Sequence, residues 1–204
     1  MSKKALIDRY EKRIEEWLKR IDDPNILSFD ELNKLYFDMF TDGYKEGLGH
    51  SKAMILPGLD SDEFELYLET RESLQDFIAK SDYLYNLPYL NGNTVSEMAT
   101  QYWLEGDKPA LKRLMDSEYH RAYGNGAYDM AEIIGDIPSY EIKKTWVTAG
   151  DERVRDTHVY LDGVTIGKDE TFYTFDGDEA LFPGGFESAR NNANCRCILI
   201  YSKA

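Results

Sequence analysis

Near the start of the chain, Leu6, Tyr10, Ile14, Trp17, Leu18 and Ile21 return at steps of three and four. That spacing puts them on one face of a helix whose other face is charged and solvated. Ser2 is placed to cap this helix, and Pro24 to end it. Ser28 precedes Glu31 at capping-box spacing and opens a second helix through Leu32, Leu35, Tyr36, Met39 and Phe40. Gly43, Gly47 and Gly49 are expected to loosen the chain beyond Phe40.

Asp60 to Asn91 reads as one or two further helices, punctuated by Pro57-Gly58 and Leu87-Pro88, with Phe64, Tyr67, Leu68, Leu74, Phe77 and Ile78 as core candidates. Tyr83, Tyr85 and Tyr89 have no Arg or Lys beside them, so packing is favoured over base stacking. Thr94-Val95-Ser96-Glu97 starts another capped helix with Met98, Tyr102, Trp103 and Leu104 on its apolar side, and Gly106-Asp107 breaks it. A long helix from Pro109 through Ile133 then carries Leu111, Leu114, Met115, Tyr119, Ala122, Tyr123, Ala127 and Met130.

After Gly135 and Pro138 the pattern changes to β-branched and aromatic runs broken by turn pairs. Strands are expected near Ile142–Thr148, Thr157–Ile166, Thr171–Phe175 and Cys195–Tyr201, with a long connection from Asp176 to Asn194 that suits a partner-contacting surface. The fold class is therefore α+β, a helical N-terminal region followed by a small antiparallel-sheet C-terminal domain. The expected boundaries are 1–108 and 109–204. Alternation puts Cys195, Cys197 and Leu199 on one face of the last strand and Arg196, Ile198 and Ile200 on the other. Pairing with the strand through Thr157 would bring His158 towards the thiols.

Charge narrows the function classes. The 204 residues hold 24 Lys and Arg against 38 Asp and Glu, a net −14. Such a chain is repelled by phosphate backbones, which argues against strong nucleic-acid binding. The glycines of Thr41–Ser51 follow no strand, lack a Gly-Lys-Ser/Thr ending and sit among Asp42 and Glu46, so they are not a phosphate loop. Two cysteines one residue apart cannot build a spaced disulfide framework, and reduced thiols fit better. Nowhere do about 18 apolar residues run together, so no membrane span is expected.

The last third carries Lys144-Thr145-Trp146, Asp151-Glu152-Arg153-Val154-Arg155, His158, Asp162-Gly163, Asp169-Glu170-Thr171-Phe172, Phe182-Pro183-Gly184 and Asn194-Cys195-Arg196-Cys197. In this order they resemble the phage head morphogenesis family, the group named after phage Mu protein F. The likeness extends upstream to Glu118–Ala131, where the family has a helix with an acidic residue and later small residues.

Three chemistries fit His158, Cys195 and Cys197. Zinc is taken by Cys thiolates and His nitrogens but needs a fourth ligand. The resemblance implies that some relatives carry cysteines where Arg155 and His158 stand here and a histidine where Asn192 stands. Arg155 cannot ligate a cation and Asn192 is a poor ligand, so no cofactor is expected, with zinc as the one exception the cluster allows. A catalytic reading has His158 or the arginines Arg153, Arg155, Arg190 and Arg196 activate a thiolate or a phosphodiester. His120 and Glu118 on the long helix could join it as acid and base, although a histidine there is more simply a surface one. The favoured reading is structural: Asp151 pairs with an arginine, Asn194 bonds loop backbone, Gly163 makes a turn, the cysteines are small buried hydrophobes and Trp146 packs beneath them.

The resemblance implies a minor head protein of a tailed phage or prophage. It would bind the portal protein, with the major capsid or scaffolding protein as further partners, and support head assembly, DNA packaging or delivery. It would lie inside the virion head and in the host cytoplasm during assembly. Binding, not catalysis, is the expected mode of action. The alternative is a nuclease-like or other toxin-type enzyme, whose activity would have to come from the module itself because the sequence runs only a few residues past Cys197.

Overall fold

The second helix runs straight through its glycines. In this computed structural model, which describes residues 3–23, 26, 28–55, 74–88, 92–137 and 141–204, helix α1 spans Lys3–Arg20 and α2 spans Phe29–Ile55 without a break. Ser28 and Glu31 close the expected capping box, Ser28 N donating to the Glu31 carboxylate at 2.9 Å and Glu31 N to Ser28 Oγ at 3.2 Å. The remaining helices are α3, Leu74–Tyr85, α4, Val95–Glu105, and α5, Lys108–Gly135. Ser2, Pro24, Pro57, Gly58, Phe64, Tyr67, Leu68, Tyr89 and Pro138 lie outside the described residues, as do the side chains of Leu6, Leu74, Phe77 and Ile78.

The glycines are there for contact, not looseness. A Cβ on Gly47 would stand 2.1 Å from the Tyr123 carbonyl oxygen, and one on Gly126 would stand 2.0 Å from that of Tyr44. Helices α2 and α5 therefore meet backbone to backbone. Around this crossing Tyr36, Met39, Phe40, Tyr44, Tyr119 and Ala122 are buried, and Tyr36 donates its hydroxyl to Leu111 O at 2.5 Å. Tyr85 is buried against Phe37 and Phe40, whereas Tyr83 and Leu104 are exposed. Leu104 leaves the apolar face expected for it because the helical repeat turns it to the side opposite the buried Val95 and Ala99, and Gly106 in the left-handed region, φ 69°, ends α4 just beyond it.

The C-terminal part is a three-stranded antiparallel sheet of β1, Ile142–Val147, β2, Thr165–Gly167, and β5, Ile198–Lys203, in the order β2-β1-β5. A two-stranded ribbon, β3, Phe172–Tyr173, with β4, Glu179–Ala180, stands beside it. The fold is α+β, and the buried residues of its helical and sheet parts form one continuous cluster.

Two expected strands need correction. Residues 157–164 are not a strand. Asp156–Val159 is one helical turn, α6, and only Thr165–Gly167 pairs with β1. Thr157, His158 and Leu161 are the buried residues here, a spacing of three and four that a strand cannot bury. The reversal into β2 is fixed by Asp162, whose carboxylate accepts from Thr148 N at 2.7 Å and Thr148 Oγ1 at 2.9 Å, and by Gly163 at φ 82°. The last strand starts at Ile198, not Cys195, because Asn194 takes a left-handed φ of 52° and sends residues 195–197 off the ladder. The connection 176–194 is not open either. It contains β4 and the helical turn α7, Ala189–Asn192, and buries Phe182, Phe186 and Asn191.

Candidate functional site

Strand β1 points Ile142, Lys144 and Trp146 into the core. Trp146 is the floor of the site. Its ring meets His158 edge-on at 5.4 Å and Phe172 at 5.0 Å, and His158 stacks on Phe186 at 5.3 Å with the planes 26° apart. The turn α6 aims His158 Nδ1 between two thiols, 3.6 Å from Cys195 Sγ and 3.5 Å from Cys197 Sγ. All three side chains are buried. A hydrogen bond from the Cys197 thiol, opposed by burial and aided by His120 and His158, holds the Cys195 thiol well below its ordinary pKa. The same bond and burial push Cys197 up.

A polar frame holds the segments around this cluster. Thr157 Oγ1 donates to Asn191 Oδ1 at 2.9 Å, and Asn191 Nδ2 donates to Asp178 Oδ2 at 2.9 Å. Asn192 bonds the backbone of Phe186 in both directions, at 2.6 and 3.1 Å. Arg155 caps α7, donating to the carbonyls of Arg190, at 2.8 Å, and Ala193. Arg196 forks onto Asp151, at 2.5 and 2.9 Å, and also reaches Glu11 of α1 at 2.9 Å. That contact lowers the Asp151 pKa and raises that of Arg196.

Of the residues singled out from sequence, Trp146, His158, Cys195 and Cys197 meet in one buried cluster, and Arg155, Asp151 and Arg196 brace its rim. Arg153 and Asn194 are exposed, and Asn194 contributes its left-handed backbone. Gly163 lies in the turn before β2. Lys144 stands across Phe172 from Trp146, donating to Leu181 O at 2.9 Å beneath the rings of Tyr128 and Phe172, and burial brings its pKa down to about 8. Glu118 does not join the cluster. Its carboxylate pairs with Arg121 at 2.6 Å beside a cavity of about 410 Å³ lined by Tyr102, Phe186 and Asn192. His120 is no surface residue: it is 1% exposed and its Nδ1 lies 2.7 Å from Tyr10 OH. Asn191 and Asp178 were not anticipated, whereas Asp162 was noted with Gly163 as a motif and turn pair.

Chemically, the cluster offers two thiols and an imidazole with almost no space around them. The cavity that His158, Cys195 and Cys197 share is about 10 Å³, room for an ion or a water but not for an organic substrate.

Residues 89–200, more than half of the 204, match the family described as Phage Mu protein F like protein. The chain belongs to that family. Its whole set of motif residues, from Lys144 to Cys197, lies within the matched span. The Minor head protein GP7 of Bacillus phage SPP1 is 36% identical over 85 residues, 42% of this chain and 27% of that protein. The NAD(+)--arginine ADP-ribosyltransferase EFV of Enterococcus faecalis is 38% identical over 73 residues, 36% of this chain and 14% of that protein. The chain thus corresponds to under a third of either relative. No solved structure matches it. Among the described residues no helix is long and apolar enough to cross a membrane.

Proposed function

We propose that this Mu F-like chain is a minor head protein of a tailed phage or prophage that acts by docking to the portal protein during procapsid assembly. The major capsid or scaffolding protein are its further neighbours, and its place is inside the head. Family membership over residues 89–200 carries this reading, and the similarity to the SPP1 minor head protein supports it. The site is consistent with docking. Its reactive groups are buried beside a cavity of about 10 Å³, so the cluster serves to hold segments 151–163 and 186–197 in one shape. Tyr160, Tyr173 and Phe175 are exposed nearby, with Tyr160 and Phe175 ring centres 5.8 Å apart, and exposed aromatics of this kind suit a protein partner.

Deleting the gene from a phage that carries it is expected to lower the yield of infectious particles, with recovery when the wild-type chain is supplied in trans. Equal yields without the gene contradict the reading. A toxin-type enzyme is the competing reading, favoured by the similarity to the ADP-ribosyltransferase, although the shared segment is 14% of that protein. Turnover of labelled RNA or NAD by the purified chain, lost in His158→Ala, would favour it. Equal behaviour of wild type and variant removes it.

A further inference from the structure

His158, Cys195 and Cys197 come from two segments and offer three donor atoms that all lie within 4.8 Å of one another. The two nitrogen-to-sulfur distances are those of a coordination shell. With Zn–N of about 2.05 Å and Zn–S of about 2.3 Å, the N···S edge of a tetrahedron is about 3.6 Å, and His158 Nδ1 stands 3.6 and 3.5 Å from the two sulfurs. Three donors leave one position to fill.

The long helix α5 supplies it. His120 is buried, it lines a small cavity together with Cys197, and its Nε2 has no hydrogen-bond partner. Such an orphan is costly unless something satisfies it. Its other nitrogen is already engaged, with Nδ1 2.7 Å from the hydroxyl of Tyr10 on α1. A metal-ligating imidazole has this arrangement, one nitrogen free for the ion and the other oriented by an outer partner. Gly184 presses on the same ring: at φ 89°, a Cβ there would stand 2.7 Å from His120 Cδ2, so the Pro183-Gly184 turn fixes the imidazole in place. The cavity that His120 and Cys197 wall is about 10 Å³.

We propose that His120, His158, Cys195 and Cys197 form a tetrahedral zinc site that ties helix α5 and, through Tyr10, helix α1 to the C-terminal sheet. Two thiolates and two neutral imidazoles balance the charge of Zn²⁺, as burial requires. Soft sulfur donors favour zinc over magnesium or calcium. The two thiol protons leave to solvent when the ion enters, and no redox change is involved. The site stands apart from any head-assembly role and needs no portal to be tested.

The full chain, purified without chelator, is expected to carry about one zinc per chain by elemental analysis. Replacing zinc by Co²⁺ should give the intense visible bands of tetrahedral cobalt and a thiolate-to-metal charge-transfer band in the near ultraviolet. The pair Cys195→Ser and Cys197→Ser should abolish both signals. His120→Ala should weaken zinc binding by about tenfold or more, measured by competition with a chromogenic chelator, whereas His50→Ala, outside the cluster, should leave it unchanged. A wild-type chain that takes up no stoichiometric zinc on reconstitution, or whose cobalt form lacks the charge-transfer band, overturns the site whether or not the variants fold. Full retention of zinc by the double cysteine variant overturns it equally, and His120→Ala binding as tightly as wild type removes the fourth ligand.

Discussion

Lys144 is fully buried on the inward face of β1, its ammonium satisfied by the Leu181 carbonyl at 2.9 Å and by the faces of Tyr128 and Phe172. Burial takes its pKa from 10.5 down to about 8, against the pull of Asp169, Glu132 and Glu170. The folded value lies below the unfolded one, so the unfolded chain holds the extra proton between them and stability rises with pH across that window. The penalty is fully present below pH 8 and amounts to about 3 kcal/mol at most. Urea denaturation between about pH 8 and 9.5, below the range where unfolded tyrosines ionise, is expected to show wild type gaining on Lys144→Met as pH rises. Parallel curves would show that Lys144 titrates normally. Sequence alone pointed to Lys144 and to an Asp151–arginine pair, because both lie in a compact motif. It could not anticipate that Arg196 also reaches Glu11, 185 residues away, since no local pattern encodes a contact made by tertiary packing.

At the scale of elements, the crossing of α2 and α5 decides whether the helical part forms. Alanine is favoured over glycine inside a helix by about 1 kcal/mol. At Gly126 the clash wins, because a Cβ 2.0 Å from the Tyr44 carbonyl oxygen must push the helices apart. Gly126→Ala is expected to destabilise the chain by about 3 kcal/mol or more in chemical denaturation. Gly49 has nothing within 4 Å of the same position, so Gly49→Ala should stabilise by up to about 1 kcal/mol. Equal effects at the two sites would contradict the close crossing. The helices were legible from periodicity and capping boxes, since both signals are local. The stretch Thr157–Ile166 misled because β-branched and aromatic residues favour a strand only where a partner strand stands alongside. Here one edge of β1 is taken by β5 and the other pairs only with Thr165–Gly167, and burial of Thr157, His158 and Leu161 selects a helical turn. The cysteines were legible as a pair facing His158, whereas His120 on α5 was weighed only as an acid or base or a surface histidine, because no local pattern shows that tertiary packing buries it.

For the whole molecule, a net charge of −14 and a continuous core joining helices to sheet describe a rigid acidic body. Two arginines of the motif are spent internally, Arg155 on carbonyls and Arg196 on Asp151 and Glu11, which withdraws them from phosphates. Retention on duplex DNA at physiological salt is expected to be negligible, and tight salt-sensitive retention in a filter or gel assay would contradict that. The proposed function has this chain act through a partner, the portal protein. The decisive measurement is a count of this chain in purified procapsids assembled with and without the portal protein. A few copies per particle with the portal, falling to background without it, is the predicted result. The same number in both preparations would contradict portal docking.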